Sequence, residues 1–201
     1  QALPELVDYL GLRSRRLAPA LAWAYDASPR PSAQDQLWGA SALSQMHLEL
    51  SQRLLGLRAD AWLGYSSGET NALVAAGVWR DPDALIAAME ASGLMTTTLG
   101  GEFAAVAPQW GTPVRWASWN VLAPVDDIRA ALAGEARVHL AIIHSDNDAV
   151  IAGDAEGCER VVEALGRARC LALDYPLAVH VPELEAVADQ WLALHQRRTY
   201  P

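Results

Sequence analysis

The sequence predicts an α/β chain whose second half is a ferredoxin-like, split βαβ unit, and three observations carry that prediction. Apolar residues recur at helical spacing from 34 to 57. The stretch "AWLGYSSGETNALVAAGVW" (61–79) reads as strand, turn and helix around one Gly-x-Ser-x-Gly. From 102 to 175 the order is strand, helix, strand, strand, helix, strand.

Each element has its own warrant. "ALPELVDYLG" (2–11) predicts a short helix, followed by a Pro-, Ser- and Arg-rich connection. Leu37, Ala40, Leu43, Met46, Leu50, Leu54 and Leu57 form the apolar stripe of the next helix. "AWLG" (61–64) is a short apolar run suited to a buried strand, and "ETNALVAAGVW" (69–79) is a helix of small residues. Asp81 caps a helix that Pro82 opens, with Asp83 in its first turn. "EFAAVAP" (102–108) reads as the first strand of the second half. The segment 109–124 then holds a hairpin or an insertion, and its three Trp are either core filling or a surface for a neighbouring domain. "VDDIRAALAG" is a helix. "VHLAIIHS" (138–145) and "DAVIAG" (148–153) are strands joined by a tight Asp-Asn-Asp turn. "AEGCERVVEALG" is a helix, "RCLALDY" (169–175) a strand, and Pro182 opens a last helix.

Composition narrows the function. The 201 residues are 52% hydrophobic and 19% charged, as in a soluble globular protein. A net charge of -9 excludes a basic nucleic-acid face. No apolar run reaches the roughly 18–20 residues of a membrane span, and no signal peptide opens the chain. Cys158 and Cys170 make neither a disulfide framework nor a metal site, so a reducing cytoplasm and no metal are expected. All 15 basic residues are Arg. The ends, Gln1 and "RRTYP", suggest part of something larger.

Ser66, at the centre of the Gly-x-Ser-x-Gly, has the context of a nucleophile. A strand before it holds the backbone, Gly64 and Gly68 let the turn tighten, and the helix after it points its N-terminus at the serine. A serine nucleophile also needs a base. His47, His139, His144 and His195 sit in or beside helices and strands, where a lone His is structural. His180 lies in "LDYPLAVHVPEL", a loop at a strand end, and is the candidate base.

Three segments in order resemble the acyl-CoA:acyl carrier protein acyltransferases, the malonyl transacylase-like domains of polyketide and polyunsaturated fatty acid synthases. "LGYSSGETNALVAAGVW" is similar to their Gly-His-Ser-x-Gly-Glu segment, "AIIHSDNDAVIAGD" to their Asn-x-Pro-x-x-x-Val-x-Gly strand pair, and "AVHVPELEAVADQW" to their His-Ser-Pro-x-Met segment. The resemblance implies a partial α/β-hydrolase-like subdomain with an inserted ferredoxin-like subdomain. Residues 1–100 would be the hydrolase-like part with the elbow, 101–176 the insert, and 177–201 the return carrying the His loop. It implies that Ser66 takes an acyl group from CoA with His180 as base, and that a backbone carbonyl orients the histidine. The phosphopantetheine thiol of an acyl carrier protein then receives the acyl group. The partners implied are that carrier protein and neighbouring synthase domains, with no permanently bound cofactor. The Ser67 N–H would be one oxyanion donor, and Glu69 would fix the elbow.

The departures from the family pattern bear on the substrate. Tyr65 replaces the His before the nucleophile and would line the pocket wall. His144 replaces the strand-pair Asn and would also line the pocket. Ala91 or Ser92 stands where malonyl transferases carry the Arg that pairs with the malonyl carboxylate. Malonyl would therefore need another cation, such as Arg80 or Arg115, or the acyl group is a different one. The family's Gln oxyanion loop and the strands after the His segment have no counterpart in the sequence. Two alternatives stay open: a weak or inactive acyltransferase-like domain with a docking role, and a serine thioesterase using Asp174 as its acid.

Overall fold

The computed structural model describes Arg16, residues 31–111 and residues 113–201. The short helix expected at 2–11 lies outside the described residues. The chain divides into two compact units, one of Gln1–Ser92 with Trp191–Pro201, the other of Gly93–Gln190.

In the first unit, α1 spans Ala33–Glu49. A reciprocal capping box starts it. The Ser32 hydroxyl accepts from the Asp35 N–H at 3.1 Å, and the Asp35 carboxylate accepts from the Ser32 N–H at 3.1 Å. The helix runs on through a π-turn at Leu50–Leu54 and stops at Gly56, which adopts a left-handed φ of 65°. Its buried face is not the leucine stripe. Ala33, Gly39, Ser41, Ala42, Gln45 and Glu49 are buried, whereas Leu43, Leu54 and Leu57 are 44%, 63% and 57% exposed. Small side chains on this face let α1 approach its neighbours: Ala42 packs with Ile86, and Trp38 and Met46 close over the pair.

Helix α2 spans Ser67–Ala75 and α3 spans Pro82–Ser92. The expected cap is present, with the Asp81 carboxylate accepting from the Ala84 N–H at 2.9 Å. Val74, Trp79 and Leu85 form the core between them. The C-terminal segment returns to this unit, the Tyr200 N–H bonding to the Val78 carbonyl at 3.0 Å. The strand expected at 61–64 does not form. Its backbone is not paired to another strand among the described residues, and Leu63 is 97% exposed. An apolar run becomes a strand only when another backbone takes its N–H and C=O groups.

The second unit is built on a four-stranded antiparallel sheet in the order β2-β3-β1-β4. The strands are β1 (Trp116–Val121), β2 (Val138–Ser145), β3 (Asp148–Asp154) and β4 (Cys170–Leu173). Helix α4 spans Ala107–Trp110, α5 Val125–Ala131 and α6 Ala155–Leu165. The first strand is β1 rather than the predicted 102–108. That earlier segment makes turns and α4, with Gly101 and Phe103 at φ of 58° and 52°. Its apolar run without alternation was compatible with either state, and Pro108 removes a ladder donor.

Alternation along β3 divides the core in two. Ala149 and Ile151 face α5 and α6, joining Trp119, Val121, Ile128 and Val162. Ala152 faces the other way, onto Phe103, Val106, Ala178 and Val181. Gly153 sits where a Cβ would lie 2.0 Å from the Arg137 carbonyl oxygen, so the β2–β3 approach requires glycine. The Trp-rich segment is core filling. Trp119 is 8% exposed, and Trp116 stacks on Phe103 and Trp110 at 5.8 and 5.5 Å. After β4 the chain runs through Tyr175–Val181 to a 3₁₀ turn, Pro182–Val187, and α7, Ala188–His195.

Candidate active site

Ser66 sits at a strained bend. Its φ of 51° and ψ of -123° are a conformation that non-glycine residues rarely hold and that costs about 1–3 kcal/mol. The bend places Ser66 immediately before α2, and the residue is exposed. Its hydroxyl does not cap the helix. Ser67 opens α2, where backbone N–H groups lack intrahelical acceptors. Glu69 lies in the first turn, where a carboxylate suits the helix dipole.

The two elbow glycines are not equivalent. A Cβ on Gly64 would lie 2.3 Å from the Gly68 carbonyl oxygen and 2.4 Å from the Glu69 N and Cα, so the incoming chain touches the first helical turn. A Cβ on Gly68 would meet nothing within 4 Å. The tightness of the turn therefore rests on Gly64, and the expectation that Gly68 also relieves a clash is corrected. Tyr65 is 55% exposed, and partial burial pushes its phenol above the ordinary tyrosine value.

His180 repeats the backbone signature. Among the described residues only Ser66, Phe103 and His180 are non-glycine residues at positive φ, His180 at 59°. Strained backbone concentrates at functional sites, and two of the three positions are the nucleophile and base chosen from the sequence. His180 is exposed, while Ala178 and Val181 on either side are buried.

The elbow residues Gly64 to Glu69 share the first unit with Arg80, Ala91 and Ser92, whereas Arg115, His144, Asp174 and His180 belong to the second. Ser92 ends α3 with its hydroxyl donating to the Met89 carbonyl at 2.6 Å. The two cations considered for a malonyl carboxylate already have partners. Arg80 donates to the Gly77 and Pro201 carbonyls at 3.3 and 3.4 Å and lies over the Tyr200 ring, and Arg115 pairs with Glu156. His144, near the end of β2, and Asp174, just after β4, are exposed. The first unit also carries a cavity of about 590 Å³ on the α1 side of the elbow helix, lined in part by His47, Trp62, Leu63 and Asn71. Among the described residues no group of His, Cys, Asp and Glu is arranged to hold a metal ion, and no helix is long and apolar enough to cross a membrane.

One polar cluster was missed in the sequence. Glu183 is 6% exposed, and its Oε1 accepts from the Trp110 Nε1–H and meets the His139 Nε2, each at 3.1 Å. Its partners are 73 and 44 positions away, so no local spacing betrays them.

Comparison with known proteins decides the family. No family model matches the chain. The non-reducing polyketide synthase aptA of Emericella nidulans is 30% identical over 140 residues, which is 68% of the chain and 7% of that synthase. The acyl transferase domain of SpnD, solved in complex with 2-(pent-4-yn-1-yl)malonyl, matches with a TM-score of 0.63 and 25% identity over 96% of the chain and 44% of that domain. The chain belongs to the acyltransferase domains of polyketide and polyunsaturated fatty acid synthases. The same acyltransferase fold appears in a malonyl-transacylase solved in complex with a type II polyketide synthase acyl-carrier protein. That match has a TM-score of 0.67 and 22% identity, over 98% of the chain and 66% of the solved one. The chain thus spans 7% of the curated synthase and less than half of the solved SpnD chain it matches.

Proposed function

We propose that the chain moves an acyl group, malonyl or another short acyl, from CoA to an acyl carrier protein through an acyl-Ser66 intermediate. The observation that carries this reading is the strained Ser66 backbone, wedged by Gly64 against the start of α2. The part of the fold that bears the elbow is hydrolase-like, and residues 101–176, which lie within the Gly93–Gln190 unit, form the inserted ferredoxin-like subdomain; the strand order supports that assignment. His180 removes the Ser66 hydroxyl proton as the Oγ attacks the thioester carbonyl. The tetrahedral oxyanion faces the Ser67 N–H and the positive end of α2. The C–S bond then breaks, and CoA leaves as the thiol with the proton from His180. The phosphopantetheine thiol of the carrier protein attacks the acyl-serine by the same steps in reverse, restoring the Ser66 hydroxyl. No bound cofactor takes part, and the cytoplasm supplies the acyl-CoA thioester and the carrier-protein thiol. Arg80 and Arg115 are already engaged and Ala91 and Ser92 carry no charge, which supports an acyl group without a carboxylate over malonyl.

Intact mass measurement of the full-length protein after mixing with malonyl-CoA, acetyl-CoA or a longer acyl-CoA tests this reading. We expect one acyl adduct, absent in Ser66→Ala and formed at least about 10³-fold more slowly in His180→Ala. An adduct that persists in Ser66→Ala would overturn the assignment, and the adduct's mass identifies the acyl group.

A further inference from the structure

We propose that Glu183 is a positioning residue for His180, locking the base loop onto the sheet of its own unit. This rests on the reading of His180 as the general base. Only Val181 and Pro182 separate the two residues. Pro182 fixes its own φ, and Val181 is buried against the cluster of Phe103, Val106, Ala152 and Ala178. Two anchors flank His180. On the N-terminal side the Ala178 N–H donates to the Leu99 carbonyl at 2.7 Å. On the C-terminal side the Glu183 carboxylate receives the Trp110 Nε1–H and faces the His139 Nε2. A carboxylate only accepts, so a hydrogen bond at this contact requires the His139 proton on Nε2.

The donors are themselves held. His139 is fixed in β2 opposite Ala152. Trp110 stacks on Trp116 at 5.5 Å, and the Arg137 guanidinium lies over its ring at 5.7 Å. His180, between the anchors, is an exposed residue in the left-handed region. Such a conformation persists only when its surroundings over-determine it. A carboxylate this buried is kept where its hydrogen bonds matter, and these two span from the base loop to β2 and α4. Its second oxygen, Oε2, is buried with no hydrogen-bond partner. Both contacts fall on Oε1, and an amide that retains an acceptor oxygen there keeps the same anchor.

The test compares Glu183→Leu with Glu183→Gln in the full-length protein, reading the rate of Ser66 acylation against acyl-CoA concentration. Glu183→Leu should slow the maximal acylation rate by about 10- to 100-fold with KM within about threefold, because the base shifts and the acyl-CoA site does not. Glu183→Gln should restore the rate to within about threefold of the parent. Should Glu183→Leu lose its cooperative melt, Trp110→Phe and His139→Phe each remove one donor and should slow acylation by about 3- to 10-fold. Parental rates in the folded Leu variant, or in both donor variants, overturn the proposal, as does a Gln variant no better than Leu. Full acylation in His180→Ala overturns the underlying reading instead. The two failures are therefore distinguishable.

Discussion

Two apolar runs of similar composition met opposite fates in this chain. "DAVIAGD" became β3, paired on both sides and buried from Ala149 to Gly153. "AWLG" forms no regular element and is largely exposed in the other unit, with no strand beside it among the described residues. Both runs carry the residue types of a buried strand. What separates them is a partner backbone: β3 has β1 and β2, each able to take a row of N–H and C=O groups. Hydrophobicity sets how much a segment gains by burial, and pairing decides whether that gain is realised as a strand.

The largest expected effect sharpens this contrast by overcrowding one tight backbone approach in each unit. Gly153→Ala would force a Cβ against the Arg137 carbonyl inside the paired sheet. It should destabilise the Gly93–Gln190 unit by about 3 kcal/mol or more, read by chemical denaturation. Gly64→Ala meets the Gly68 and Glu69 backbone at an exposed elbow, so its main effect should be on chemistry: a loss of Ser66 acylation of about 10²-fold or more. Gly68→Ala enters open space and should keep activity, with stability unchanged or raised by about 0.5–1 kcal/mol. A Gly68→Ala variant as damaged as Gly64→Ala would remove the distinction drawn between the two glycines.

Amide hydrogen exchange addresses pairing directly. Protection in β3 should exceed that in residues 58–65 by about 10³-fold, since exchange from unpaired, exposed backbone needs little opening. Equal protection would mean that the 58–65 segment is covered in solution.

A smaller effect separates surface charge from core pairing. Arg160 grips the Glu135 carboxylate through two 2.7 Å hydrogen bonds, and these hold its pKa below the ordinary glutamate value. A depressed carboxylate contributes stability that is complete above its unfolded pKa and is lost as pH falls through the folded one. Glu135→Gln should therefore lower Tm by about 1–3 °C at pH 7, with the difference shrinking as pH falls below the ordinary glutamate range. A difference that grows on acidification would contradict the assigned sign.

The parts legible beforehand were those with local grammar. Asp81 capping α3, the β2–turn–β3 hairpin and the elbow around Ser66 were all readable from neighbours within a few residues. The parts that were not legible depended on distant partners. The buried face of α1 turned away from its leucines because small residues there admit Ile86. The first strand of the sheet fell at Trp116–Val121 because that segment alternates and meets β3 and β4, while 102–108 curls at Gly101 and Phe103. Glu183 carries no local signal, because its partners Trp110 and His139 lie 73 and 44 positions away.

From its own residues, then, the chain specified its turns, its helix starts, the bend at Ser66 and the loop that carries His180. Those features depend on interactions within about one helical turn, where side-chain type and spacing suffice. Which apolar runs become strands, which helix face is covered and what anchors the His180 loop were decided in three dimensions. Those outcomes depend on groups tens of residues apart, whose hydrogen bonds and packing exist only once the chain has brought them together.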